Sequence, residues 1–373
     1  MQKMLFTNQS SSNAPILTIG IPTFNRPAEL HRTLHRLREE QIFGEYHVEI
    51  LVGDNGGGGM TGSNGGPEFQ TNSPNVTFRH VVHDKNIGLE GNVRFLVQSA
   101  AGKFIWLLAD DDFLVPGSIS GLLGQLGERD HVGLRWTLDH GNGPEPSFLK
   151  RSELTVVELL EDYWRKPIFI SSIVFRVDSA RAALSSLALN GEKNYTYPQT
   201  LLFFKVLEMH GSARIYEGYA VEDSRPEKNY TQLGSFRVRT EDFILLYSYL
   251  KRNFNEGTEF GSIERAVVGS SLGAALWELA TFGSRAYSFK GIPSHLRLLR
   301  RKGIGLRILT TILLIAFSYV AALITPKLGL LILYLVYLVS SKIESYRSIF
   351  RSALQEKLDR DRKGSNHFDY HPT

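Results

Sequence analysis

The sequence predicts an α/β protein with a doubly wound, mostly parallel sheet, continued by a C-terminal helical, membrane-associated region. Three observations carry that expectation. In the first ~125 residues, short apolar runs rich in β-branched residues alternate with helical patterns. Each of those runs stops at small polar residues. From Leu279 to Ile343 there is no acidic residue, and a long apolar stretch there is bordered by Lys and Arg.

The elements follow in order. Ile16 to Ile21 is a short apolar run ended by Pro22, which reads as a buried strand. Thr23-Phe24-Asn25-Arg26 is a turn, and Pro27 opens a helix with Leu30, Leu34 and Leu37 on one face. Val48 to Val52 is a second strand, ending at Gly53-Asp54-Asn55, and Val76 to Val82 a third, ending near His83-Asp84. A helix is expected over roughly Glu90 to Ala100. The fourth strand, Phe104 to Leu108, stops at Asp110, Asp111 and Asp112, and a helix start follows with Pro116 near its first turn. Open parallel sheets bind ligands outside the carboxyl ends of their strands. Four polar strand ends on one edge therefore mark that edge as the site. Three adjacent carboxylates cost free energy unless something positive sits among them. A hard divalent cation with oxygen ligands is one such partner.

Composition narrows the class. The chain has 373 residues, 42% hydrophobic and 21% charged, enough for one large or two smaller globular domains. Cysteine is absent, which excludes disulfides, thiolate nucleophiles and Cys-ligated zinc. A net charge of +4 gives little general attraction for nucleic acid, so no nucleic-acid partner is expected. The polar segment Met1 to Pro15 has no apolar core of a secretory leader, and none is expected. Gly56 to Gly66 lacks the Gly-Lys-Ser/Thr ending of a P-loop and reads as a surface loop. His31 and His35 sit one helical turn apart without the Glu of a zincin motif, and read as a solvated face.

The segments IPTFNRPAEL, LVGDN and NIGLEGNVRFLVQSAAGKFIWLLADDDFLVPGSI, spanning about Pro15 to Leu126, resemble the nucleotide-binding half of family 2 glycosyltransferases. The resemblance implies the GT-A fold and transfer of a sugar from a nucleoside-diphosphate sugar, usually with inversion and with Mg²⁺ or Mn²⁺. By the same resemblance, Pro22, Thr23 and Asn25 match the first-strand segment that meets the nucleotide. Asp54 matches the acid that hydrogen-bonds the base. Asn86, Gly88 and Asn92 match the segment beneath the donor. The acid cluster matches the DxD-type site, with Asp111 and Asp112 as the metal pair and Asp110 on the donor side. The chain departs from the family where Ala109 precedes the acids, so the leading acid is displaced by one, and where glycines replace the Ser-x-Asp after Asp54-Asn55.

Beyond Leu126 the pattern is less regular. Pro167 to Arg176 reads as a strand and Tyr197 to Met209 as a helix. Family 2 enzymes often begin that helix with Glu-Asp, which carries the catalytic base. Here those positions are Tyr197-Pro198. Glu192, Glu222 and Asp223 are the substitute base candidates. Trp164, Tyr195 and Tyr197 are aromatics able to stack on sugar rings. The block NYTYPQTLLFFKVLE is similar to that of abequosyltransferase-like bacterial enzymes, which build O-antigen-type polysaccharide.

Arg285, Lys290, Arg297, Arg300, Arg301, Lys302 and Arg307 precede an apolar stretch, Ile308 to Ile324, broken at Thr325-Pro326-Lys327 and resumed from Leu328 to Val339. The first arm would be about 26 Å long as a helix, close to the ~30 Å core of a bilayer. A helical hairpin, spanning or re-entrant, with both ends cytoplasmic is expected. The basic run suits anionic headgroups and the diphosphate of a lipid-linked acceptor.

The resulting division is a flexible N-terminus (1–14), the nucleotide-sugar half (15–126), the acceptor half (127–235), a helical basic linker (236–302), the membrane hairpin (303–343) and a polar tail (344–373). The expected activity is a metal-dependent glycosyltransferase on the cytoplasmic face of the bacterial inner membrane. Its partners would be a nucleotide-sugar donor, a polyprenyl-linked saccharide acceptor and membrane lipids, with oligomer formation left open. Two alternatives stand beside it: a transferase acting on polyprenyl phosphate itself, and a non-catalytic nucleotide-sugar-binding assembly protein.

Overall fold

The computed structural model describes residues 3–7, 14–40, 46–56, 69, 73–138, 152–160, 168–189, 197–222 and 243–254, with 260, 263, 264, 267, 313 and 315 singly. The chain divides into two compact units, Met1–Glu227 and Lys228–Thr373.

The first unit is one mixed sheet flanked by helices. Its strands are β1 (Lys3–Thr7), β2 (Leu17–Thr23), β3 (Val48–Asp54), β4 (Val76–Val82), β5 (Phe104–Leu107), β6 (Phe113–Leu114), β7 (Val132–Leu138), β8 (Glu153–Thr155), β9 (Ile173–Arg176) and β10 (Ser212–Glu222). The helices are α1 (Pro27–Glu39), α2 (Gly88–Ser99), α3 (Ser118–Leu123), the three-residue α4 (Val156–Glu158), α5 (Val177–Leu189) and α6 (Pro198–His210). The strand order is β1-β4-β3-β2-β5-β9-β7-β10-β6, with β8 on β10.

The block β4-β3-β2-β5 is parallel, as its continuous apolar strands require. Beyond β5 the sheet is mixed, because β9 runs antiparallel to both β5 and β7, while β7 and β10 are parallel. The expected nucleotide and acceptor halves thus share one continuous sheet. A GT-A fold has this mixed α/β plan.

Alternation along the strands explains the layers. Leu17, Ile19 and Ile21 of β2 and Val48, Ile50 and Val52 of β3 join Leu30, Leu34 and Leu37 of α1 and Ile119 and Leu122 of α3 in one buried cluster. The other face of β2 and β3 packs on α2, which in turn packs on α5 and α6. Glu49 is the one acid in the middle of β3, fully buried. It accepts from Thr18 Oγ1 (2.6 Å), Arg79 Nη1 (2.6 Å) and the Ala101 amide (2.7 Å), which offsets the cost of burying its charge.

Two sequence expectations shift here, and a third falls outside the described residues. The strand expected over Pro167–Arg176 is shorter: a 3₁₀ turn at Ile170–Ser172 precedes β9, and Pro167 lies outside the described residues. The helix after the acids begins only at Ser118, after the short strand β6, because Phe113-Leu114 pairs with β10 before Gly117 turns the chain with φ 77°. Among the described residues no helix is long and apolar enough to cross a membrane. The expected hairpin, 303–343, lies outside them except for Leu313 and Ile315, as does the tail 344–373. In the second unit, helix α7 (Phe243–Asn253) buries Ile244, Tyr247 and Leu250.

Candidate active site

The carboxyl edge of the parallel block brings the polar strand ends together. Thr23 and Asp54 are register partners at the ends of β2 and β3, and Asp54 is in register with Val82 at the end of β4. From β5, the Leu108 amide donates to the Gly20 carbonyl (3.0 Å), so the chain reaches the acids alongside β2.

Each acid of the cluster is held differently. Asp110 is 5% exposed; its Oδ2 accepts from Thr23 Oγ1 at 2.6 Å, and its carbonyl accepts from Thr33 Oγ1 of α1 at 2.8 Å. Asp112, also 5% exposed, accepts from Ser171 Oγ at 2.6 Å through Oδ2. Between them Asp111 is less buried and faces Arg26. One guanidinium nitrogen, Arg26 Nη1, lies 3.1 Å from Asp110 Oδ1 and 2.5 Å from Asp111 Oδ2. Burial pushes the Asp110 carboxyl up to about 6, against the opposing Thr23 hydroxyl and Arg26 charge. Burial alone would lower the Arg26 pKa, but the attraction of Asp110 and Asp111 outweighs it and holds the group above its ordinary value.

Ser171 owes its place to the antiparallel β9. The register Trp106↔Val174, extended three residues along each strand, sets Ala109 opposite Ser171. The Ala109 amide donates to Ser171 Oγ (2.9 Å), and Trp106 Nε1 donates to the Ser171 carbonyl (2.8 Å). Behind this, Arg135 lies over the Trp106 ring at 4.6 Å and donates from Nη2 to the Ser118 carbonyl (2.7 Å).

At the end of β3, Asp54 is buried, with Oδ2 3.3 Å from His80 Nε2 and Oδ1 accepting from the Gly56 amide at 3.2 Å. Gly56 has φ +64°, and a Cβ there would meet the His83 carbonyl at 2.4 Å, so the chain can turn here only as glycine. Asn86 is exposed; its Oδ1 accepts from the Gly88 amide (2.8 Å) and sets the turn into α2. Asn55 reaches across to the same segment: its Nδ2 donates to the Gly88 carbonyl (3.1 Å), and its Oδ1 accepts from the Ile87 amide (3.3 Å). Asn92 is fully buried. Its Nδ2 donates to the Gly53 carbonyl (2.7 Å), and its Oδ1 lies 3.3 Å from His83 Nε2. Asn92 therefore shapes the end of β3 from beneath. Pro22 is buried beside Gly53, while Asn25 is exposed with φ 54° in the turn that carries Arg26.

The acids of the expected metal pair stand in different surroundings. The sequence pairs Asp111 with Asp112; in the structure Asp110 and Asp111 share the Arg26 guanidinium, and Asp112 accepts from Ser171 on the β9 side. No group of three or more His, Asp or Glu is set out as a metal cage among the described residues. The donor set still fits a hard divalent ion: it consists of carboxylate oxygens, two of which already share one positive charge.

Of the base candidates, Glu222 ends β10 in register with Phe113, the residue after Asp112, which places it beside the cluster. Glu192 and Asp223 lie outside the described residues, as do Trp164 and Tyr195. Tyr197 is the N-cap of α6, and Pro198 its first residue, so no acid opens this helix. Sequence reasoning missed Arg26, Ser171 and His80 as site residues. Only Arg26 had a signal, as the nearest cation in the segment already assigned to this edge.

Residues 18–172 match the family model described as Glycosyl transferase family 2. This segment belongs to glycosyltransferase family 2. It contains every acid of the cluster and the Ser171 that bonds Asp112. No curated protein matches the chain. Among solved structures, the chain is similar to S. aureus TarS residues 1–349 in complex with UDP-GlcNAc, at 13% identity and TM-score 0.46, covering 95% of this chain and 93% of that one. It is also similar to the mannosyltransferase PcManGT from Pyrobaculum calidifontis in complex with GDP-Man and Mn²⁺, at 12% identity and TM-score 0.46, covering 95% and 89%.

Proposed function

We propose that the chain transfers a sugar from a nucleoside-diphosphate sugar to a lipid-linked saccharide at the cytoplasmic face of the bacterial inner membrane, in surface-polysaccharide synthesis. The observation that carries the donor half is the acid cluster at the carboxyl edge of the parallel strands, inside a family 2 segment, with Asp54 at the next strand end but one. In this reading Asp54 reads the base. The 54–56 and 86–88 turns, tied by Asn55, frame the nucleoside. Asp110 and Asp111 hold Mg²⁺ or Mn²⁺, with Asp112 beside them on Ser171. When bound, the ion neutralises the charge that builds on the departing diphosphate. An acceptor hydroxyl attacks the anomeric carbon from the opposite side, the carbon–oxygen bond to the diphosphate breaks, and a carboxylate takes the hydroxyl proton. Glu222 is the described candidate for that base. The acceptor half rests on the sequence: the basic run from Arg285 to Arg307 beside an apolar stretch favours a membrane-borne, anionic acceptor.

Tyr197 and Pro198 at the start of α6 favour a second reading, a nucleotide-sugar-binding protein without turnover.

Calorimetry with UDP, GDP, CDP and dTDP on detergent-purified full chain, with and without Mn²⁺ or Mg²⁺, tests the donor site. One nucleotide should bind, more weakly without metal, and binding should be lost in Asp54→Ala. Binding of none of them would overturn the proposal. Donor turnover with a lipid-linked acceptor separates the two readings.

A further inference from the structure

We infer that Arg26 is an internal counter-cation: it neutralises Asp110 and Asp111 while the donor is absent, and it gives up that contact when a divalent cation arrives, turning its charge to the diphosphate. The inference rests on the donor-site reading above and adds a residue to it.

Three facts support it. First, the contact is a shared one: a single nitrogen, Nη1, reaches both carboxylates, at 3.1 and 2.5 Å. A divalent cation held by Asp110 and Asp111 would compete for the charge and oxygens that this nitrogen already engages, so guanidinium and metal would oppose each other there. Second, Asp110 is held independently of Arg26, by Thr23 Oγ1 and through its carbonyl by Thr33. Asp110 therefore keeps its place when the guanidinium leaves. Third, Arg26 is built to move. Its side chain is 28% exposed, against 7% and 15% for the two acids. It stands at the end of a turn whose Asn25 is left-handed, directly before the first residue of α1. A guanidinium is the side chain best matched to phosphate oxygens, through its fork of N–H donors.

The arrangement has a consequence for binding order. A cation entering alone must displace a charge already in place, so binding to the empty protein is weak. A cation entering with a diphosphate gives the displaced guanidinium a new anion. Metal and nucleotide then bind cooperatively, with Arg26 as the link.

The test uses Mn²⁺ alone as the probe, on the full chain, with free Mn²⁺ read by electron paramagnetic resonance. Arg26→Gln should bind Mn²⁺ without nucleotide at least about tenfold more tightly than wild type, since the competing charge lies within hydrogen-bonding distance of both ligands. With Mn²⁺ saturating, the same variant should bind the nucleoside diphosphate about tenfold more weakly. Arg26→Lys, which keeps the charge without the fork, should resemble wild type for Mn²⁺ and Arg26→Gln for nucleotide. If Arg26→Gln is too unstable for titration, its thermal midpoint should rise more with Mn²⁺ than that of wild type. Equal or weaker Mn²⁺ binding in Arg26→Gln, with nucleotide binding intact in wild type, overturns the role of Arg26 alone. Absence of nucleotide binding in wild type overturns the donor site and this inference with it.

Discussion

Replacing Ser171 by Ala tests whether the antiparallel strand β9 holds the acid cluster. The hydroxyl makes two buried bonds, donating to Asp112 Oδ2 (2.6 Å) and accepting from the Ala109 amide (2.9 Å). The carbonyl that receives Trp106 Nε1 survives the substitution. A hydrogen bond to a charged group contributes ~1.5–3 kcal/mol, and an amide left without its partner in a buried site costs ~1–3 kcal/mol. Ser171 is fully buried, so water repairs little, and a loss of about 3 kcal/mol follows. For a unit the size of Met1–Glu227, that lowers the thermal midpoint by roughly 6–12 °C. Chemical denaturation of the variant gives the energy directly. A double-mutant cycle with Asp112→Ala isolates the pair, and a coupling of ~1–2 kcal/mol is expected. A cost below about 1 kcal/mol, or additivity within ~0.5 kcal/mol, would refute the claim that Ser171 anchors the acid.

Two further outcomes follow from the same geometry. Asn92→Ala removes the bond to the Gly53 carbonyl and the contact with His83, and should cost about 2 kcal/mol in denaturation. Because Asn92 is fully buried, nucleotide affinity should fall far less than in Asp54→Ala; unchanged stability would show that the clasp is idle. Burial lifts Asp110 from 3.8 to about 6, so the folded protein binds this proton more readily than the unfolded chain. Its favourable contribution is complete below pH ~3.8 and lost as pH rises through ~6. Between pH 7 and pH 5, chelator-treated wild type should therefore gain about 1 kcal/mol over Asp110→Asn. A difference that stays flat over that window would argue against a protonatable, buried Asp110.

How much of this the sequence carried depends on distance along the chain. The parallel block was legible because each strand is a local apolar run and each helix a local period, as Leu30, Leu34 and Leu37 show. The edge was legible because polar residues stop those runs at Thr23, Asp54 and Asp110. The direction of β9 was not, since pairing Trp106 with Val174 is a tertiary choice no local pattern specifies. That choice alone brings Ser171 to Asp112. The same limit holds within the acid cluster: DxD spacing ranks the acids by position, whereas their partners on β2 and β9 decide which of them converge on Arg26. Asn92 shows the limit differently. Its motif places it under the donor, and only packing reveals that its amide is spent on Gly53, where a Cβ would lie 2.2 Å from Asn92 Oδ1.

Three consecutive carboxylates can coexist here because the neighbouring strands divide them. Asp110 is drawn toward β2 and α1 by Thr23 and Thr33, and Asp112 toward β9 by Ser171. The two flanking acids are thereby buried and fixed, and the middle one, less buried, faces the charge of Arg26. A cluster satisfied entirely by fixed hydroxyls would have no place for a cation. A cluster left without any counter-charge would repel itself before a donor arrived. The observed division avoids both: the two flanking carboxylates are positioned by hydroxyls, and Arg26 brings positive charge to Asp110 and Asp111. The functional sensitivity of this edge should accordingly lie as much in Thr23, Thr33 and Ser171 as in the acids themselves.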